Sequence, residues 1–218
     1  MSVRICRFDV SHELREYCFN LPKQGEQAHR RFQTRIAEEG TDRLWLIDLT
    51  TAQLINYEFV ACFLPSFVHE YGMGLPENSA IAVRGKLVID RMQVLKGLAR
   101  ETGDIGPLDP STELQRIAEK RRSLFLVSEP ASGDPQYEYL GLKMDGSEEN
   151  LWEVMRFADQ QPFLTLDSIR SGAGFGGIEA AKIIAELEAR RFILKVDEDG
   201  KDPIYRSVFQ VLHREGAL

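Results

Sequence analysis

Ser171-Gly-Ala-Gly-Phe-Gly-Gly177 is the stretch on which the folding of the last third of the chain turns, because its glycines suit either a phosphate cradle or a bend between helices. Working outward, Leu151, Val154, Met155 and Ala158 fall at i, i+3, i+4 and i+7, one apolar stripe of a helix over about 147–160. Pro162 ends it. Thr165 suits an N-cap for a short second helix through Ile169, with Asp167 favourable in its first turn. After the glycines, Ile178 to Arg191 makes a third helix that buries Ala180, Ile183, Ile184 and Leu187. Phe192–Val196 and Ile204–Val211 read as strands around a turn-rich tip, Asp197-Glu-Asp-Gly-Lys-Asp-Pro203.

Gly172-Ala-Gly-Phe-Gly-Gly177 also satisfies G-x-G-x-x-G, and Asp197 stands twenty residues past Gly177, where a ribose-binding acid would be sought. A dinucleotide-binding strand is a buried apolar run ending at the first glycine. Here Asp167-Ser-Ile-Arg-Ser171 is mostly polar. A tight turn with positive φ asks only for glycine, so the expectation is a bend between helices and no cofactor. Free amides at the start of the third helix still suit a single phosphate or sulfate.

The order helix, short helix, glycine turn, helix, hairpin over 147–211 resembles a winged helix-turn-helix domain. That resemblance implies a helix and a β-wing offered to a partner, most often DNA, with Gly177, Ile178, Glu179, Lys182, Arg190 and Lys201 as the contact residues. Charge opposes it. Residues 147–218 hold nine Lys/Arg against thirteen Asp/Glu, whereas DNA binding draws on neutralised phosphates. Glu179, Lys182, Glu186 and Arg190 cancel along the exposed stripe of the third helix, and the tip is acidic. Protein docking or dimerisation therefore stands beside DNA binding as a use for such a unit.

The first half is organised differently. A helix over about 24–39 carries Ala28, Phe32 and Ile36 and leads into the apolar strand Arg43-Leu-Trp-Leu-Ile-Asp-Leu-Thr50. Asn56 caps a helix expected to reach Tyr71, kinked at Pro65, with Phe59, Val60, Phe63, Leu64, Phe67 and Val68 on a wide apolar face that must lie against a sheet or another subunit. Ser79–Arg84 is the next strand, and Val88, Met92, Leu95 and Ala99 line a further helix. Strands alternating with helices indicate an α/β layer.

Leu46-Ile-Asp-Leu49 followed by Ile55-Asn-Tyr-Glu-Phe59 resembles a STAS-like domain, the α/β fold of anti-sigma-factor antagonists, over about 1–105. The resemblance implies a regulator that works with an ATPase or kinase partner, docked near Asn56, Tyr57, Glu58, Phe63 and Phe67. At the helix start, where that family commonly carries a phosphorylated Ser or Thr, this chain has Asn56, Tyr57 and Glu58. The phospho-switch is therefore not expected. Thr50 and Thr51 read as turn residues, and Asp48 as a residue that orders the loop or caps a helix.

Between the halves, Glu101–Pro110 is rich in glycine and proline and reads as a linker. Ser111 caps a helix to about Arg122 with a basic end at Glu119-Lys-Arg-Arg122, and Ser123–Val127 and Tyr137–Leu140 read as strands whose sheet the sequence does not reveal. The organisation expected is thus 1–105 for the STAS-like domain, 106–146 for a connector of helix and strands, and 147–218 for the winged helix-turn-helix, an α/β chain (α+β overall).

The 218 residues carry a net charge of −7 and no apolar run long enough to span a bilayer. The opening Met1-Ser-Val-Arg-Ile-Cys-Arg-Phe-Asp9 alternates charged and apolar residues, unlike a secretory signal. Cys6, Cys18 and Cys62 read as core thiols of a reduced cytoplasm, and the four scattered histidines give no metal-ligand spacing. No nucleophile elbow, Walker-type loop or Cys–His pair points to catalysis. The expectation is a non-enzymatic cytoplasmic regulator, without metal or membrane segment, that binds DNA or acts as an adaptor for a protein partner, with a homodimer left open.

Overall fold

The computed structural model describes residues 3–39, 43–65, 79–86, 88–100, 124–128, 134, 136–140, 142, 146–197 and 203–217. The expected linker and the helix with its basic end lie outside them, as do Phe67 and Lys201. The chain is mixed α/β. Strands β1 (Arg4–Asp9), β3 (Arg43–Asp48), β5 (Ala80–Gly85) and β6 (Leu124–Ser128) lie side by side in parallel, and β7 (Gln136–Leu140) closes the order antiparallel to β6. The two strands of the expected connector therefore belong to the same sheet as the first half. A short parallel pair, β2 (Cys18–Phe19) and β4 (Leu54–Ile55), sits apart from it.

Parallel neighbours in chain order need right-handed crossovers that all pass on one side, and this decides which face each helix takes. Helices α2 (Pro22–Glu39), α3 (Tyr57–Phe63) and α4 (Val88–Arg100) pack with Cys6, Phe8, Trp45, Ile47, Ile81, Val83, Leu124 and Leu126. The alternate positions, Leu44, Leu46, Ala80, Ala82, Phe125, Val127 and Tyr139, belong to a second core formed with residues 151–212. β3, β5 and β6 are thus buried on both faces, which is why Leu44–Ile47 reads as an unbroken apolar run.

On the first face, α3 ends at Phe63 with Leu64 as its C-cap. Leu64 keeps right-handed helical backbone (φ −91°, ψ −33°) and Pro65 is again helical, so the break at Leu64 falls where the sequence suggested a kink. α4 buries Val94, Leu95 and Leu98, while Met92, expected on the buried stripe with Leu95, is half-buried. Close packing explains Gly97. A Cβ there would lie 2.5 Å from Val60 Cβ and 2.9 Å from the Ala61 nitrogen. Gly97→Ala should therefore cost about 1–3 kcal/mol by overpacking, more than the roughly 1 kcal/mol that alanine adds in a helix. Urea unfolding of the two proteins checks this. Of the three cysteines only Cys6 is buried, its thiol pushed up by burial and then by the Glu39 carboxylate; Cys18 is exposed and Cys62 half-buried.

The second face is covered by α5 (Glu149–Gln160), α6 (Leu166–Gly172), α7 (Gly177–Ala189), the hairpin β8 (Ile193–Asp197) and β9 (Ile204–Ser207), and α8 (Val208–Arg214). The buried stripes of α5 and α7 are those read from the sequence. Leu164, between α5 and α6, exchanges both backbone hydrogen bonds with Tyr205 and joins the hairpin edge. The strand expected to run to Val211 stops at Ser207. The Ser207 hydroxyl accepts from the Gln210 amide at 3.2 Å, and Val208, Val211 and Leu212 then take helical spacing on the core side.

Asp159 fastens this layer to the sheet. Its carboxylate accepts from Tyr139 Oη at 2.6 Å and from Tyr137 Oη at 3.2 Å, and its backbone carbonyl accepts from the Gln210 side chain. The Phe209 amide donates to Tyr139 Oη at 3.4 Å, and Tyr137 stacks on Phe209 with centroids 4.5 Å apart. Burial, then the Asp159 charge, pushes Tyr137 up to about 12. Burial and Glu188 do the same to Tyr205, and Tyr139 moves in the same direction. An unfolded chain releases these protons near pH 10 and the folded chain holds them to about 12. Stability from this source is present below pH 10 and is lost as pH rises toward 12. A tyrosinate absorbance titration should show a late phase that coincides with loss of circular dichroism.

Candidate functional site

The glycine segment lies between two helices. The residues before it are helical, with Thr165 and Ser168 closing a reciprocal cap (Ser168 N to Thr165 Oγ1 3.1 Å, Thr165 N to Ser168 Oγ 2.8 Å). Gly172 is the last residue of α6, not the end of a strand, so the geometry of a dinucleotide turn is absent from this segment. Two glycines have direct reasons. A Cβ on Gly172 would meet the Phe157 ring at 2.5 Å, and Gly174 has φ +77°.

Beyond the turn, α7 begins at Gly177 with Gly176 as N-cap, and no side chain accepts from its first amides. Those donors face solvent at the positive end of the helix dipole. Arg170 crosses from α6 and would lie 3.6 Å from a Gly177 Cβ, while pairing at 3.4 Å with Asp167. Glu179, which would repel an anion here, accepts instead from Asn150 Nδ2 at 3.0 Å. Ile178 is 79% exposed, and Ala181, Lys182 and Ala185 share the open side of the helix.

Arg190 is a correction to the expected contact set. It is 6% exposed, forked onto Glu148 at 2.7 and 3.0 Å, with Nε on Glu186 at 2.8 Å. The guanidinium ties the end of α7 to the start of α5 and presents nothing to solvent. Gly177, Ile178, Glu179 and Lys182 do lie together on the exposed surface, and Arg170, absent from the expected set, joins them. Arg170 was legible only as the last basic residue before the glycines.

Of the expected docking residues, Asn56 and Phe63 are taken up by the fold itself. Asn56 Oδ1 accepts from the Glu58 amide at 3.3 Å as N-cap, the Tyr57 amide donates to Gln93 Oε1 at 2.9 Å, and Phe63 is fully buried. Asp48, also fully buried, orders the following loop. Its Oδ1 accepts from the Thr50 amide at 2.8 Å and from Thr50 Oγ1 at 2.6 Å, and its other oxygen pairs with Arg7. Thr51 Oγ1 donates to Asp9 at 3.1 Å. Both threonines lie in the turn, as their reading predicts.

No family model, curated protein or solved structure matches the chain. Among the described residues, no helix is long and apolar enough to cross a membrane.

Proposed function

We propose that this protein is a non-enzymatic cytoplasmic regulator that binds DNA through α6 and α7, a winged helix-turn-helix carried on a STAS-like α/β layer. The observation that carries the reading is the uncapped, solvent-facing start of α7, flanked by Arg170 and Lys182. Backbone amides at a helix N-terminus with two cations beside them suit a DNA phosphate. Ile178, Ala181 and Ala185 then offer methyl contacts of the kind that read thymine. The hairpin and its Leu164 bridge support the same reading.

Two cations imply weak, short-footprint binding. About two neutralised phosphates give a slope of log K against log salt of roughly −2. A fluorescence anisotropy titration on AT-rich duplex at low ionic strength should return that slope, and Lys182→Glu should flatten it to about −1 or closer to zero. No binding to any duplex at low salt would remove the DNA reading.

The second reading is an adaptor for a protein partner of the ATPase or kinase type that the STAS resemblance implies. The exposure of Ile178 favours it, since a lone large aliphatic at a helix tip is ordinary in protein interfaces and rare in phosphate contacts. A co-purifying partner lost on Ile178→Asp, with DNA binding absent, is its expected result.

A further inference from the structure

We propose that the cleft between β7 and α5 is a binding site for a small aromatic carboxylate. The cleft encloses about 380 Å³, within the size range of small-molecule pockets. Leu140, Leu142 and Met155 close its floor, almost completely buried, and the half-buried Trp152 indole and the Tyr137 ring give it open apolar surface. Two aromatic side chains at a cleft suit a planar ring.

Charge selects the ligand's sign. Arg91 is matched by Glu138, with Nη2 2.8 Å from Oε2. Asp159 is already engaged by the two tyrosine hydroxyls, at 2.6 and 3.2 Å. Arg156 remains, exposed on α5 at the cleft, with no acidic partner among the described residues. A guanidinium with unused donors beside an apolar slot is the arrangement that takes a carboxylate in bidentate fashion. Such a ligand would touch the sheet through β7 and the second layer through α5, so its binding tightens the joint that Asp159 makes. The inference is independent of DNA binding and is read without it.

The test uses 2-naphthoate as probe and neutral 2-naphthalenemethanol as its control, titrated into the full chain by calorimetry and by ligand-observed NMR. Saturable binding of naphthoate at one site, stronger than that of the alcohol, is expected. Arg156→Gln should weaken naphthoate by about tenfold or more and leave the alcohol unchanged, while Arg156→Lys recovers part of the loss. Both variants alter an exposed side chain, so an unchanged melting temperature separates lost binding from misfolding. Absence of saturable naphthoate binding at millimolar concentration, or binding indifferent to Arg156→Gln, overturns the site.

Discussion

Phe63→Ala should lower the free energy of unfolding by about 3–5 kcal/mol, the range for emptying a buried phenylalanine site. The ring has no exposed surface and lies 5.6 Å from Phe59, 5.9 Å from Phe32 and 6.0 Å from Phe8, centroid to centroid. Three aromatic neighbours cannot all collapse into one vacated volume, because Phe32 is itself held edge-on by Trp45 at 5.2 Å. The cavity term is thus retained as well as the transfer term. A docking residue would behave differently: truncating it costs a partner and leaves the isolated chain within about 0.5 kcal/mol of its starting stability. Chemical denaturation followed by tryptophan fluorescence distinguishes the two, since Trp45 reports on this layer directly. A midpoint unchanged by Phe63→Ala would return that residue to the surface role its place in the sequence suggested.

Arg190→Ala is expected to cost a similar amount, about 3–5 kcal/mol, for an electrostatic reason. Removing the guanidinium leaves Glu148 and Glu186 facing each other, with Glu148 only 14% exposed at its side chain. A buried charge stripped of its partner carries most of its desolvation penalty. Arg190→Ala combined with Glu148→Leu should recover part of the loss, because the double change replaces an ion pair by apolar contact. If Arg190 were an exposed DNA contact, the single change would alter the salt slope of binding and leave the unfolding midpoint alone. Measuring both on one preparation separates these outcomes.

These two residues also show where sequence reading succeeds and where it stops. The stripe Leu151, Val154, Met155, Ala158 and the caps Asn56 and Thr165 were legible because each depends on neighbours within about a helical turn. The wide apolar face around Phe63 was equally legible, but not what covers it, since α2 and the sheet are supplied by other parts of the chain. Arg190 occupies a helix position that periodicity assigns to the edge of the exposed stripe. Its burial is decided by Glu148, 42 residues earlier.

Strand placement was opaque for a related reason. A strand buried on both faces has no alternation to read, so nothing in Leu44–Leu49 marks which side chain meets which layer. Ser207 misled in another way. Val208 and Val211 are β-branched and continue the look of a strand, yet a hydroxyl cap restarts the chain as α8. At the candidate site, the glycine bend was readable from polar Asp167–Ser171, whereas the approach of Arg170 to Gly177 needed the fold.

The sheet serves as common ground for both halves, and this limits how the protein can be divided. A gene product stopping before Ser147 would leave Leu44, Leu46, Ala82, Phe125 and Val127 facing water, a sticky plateau that chaperones would hold rather than release. The helical layer cut loose would lose its footing on Tyr137 and Tyr139 in turn. Sharing one sheet, the two layers are therefore expected to melt together in a single transition rather than two.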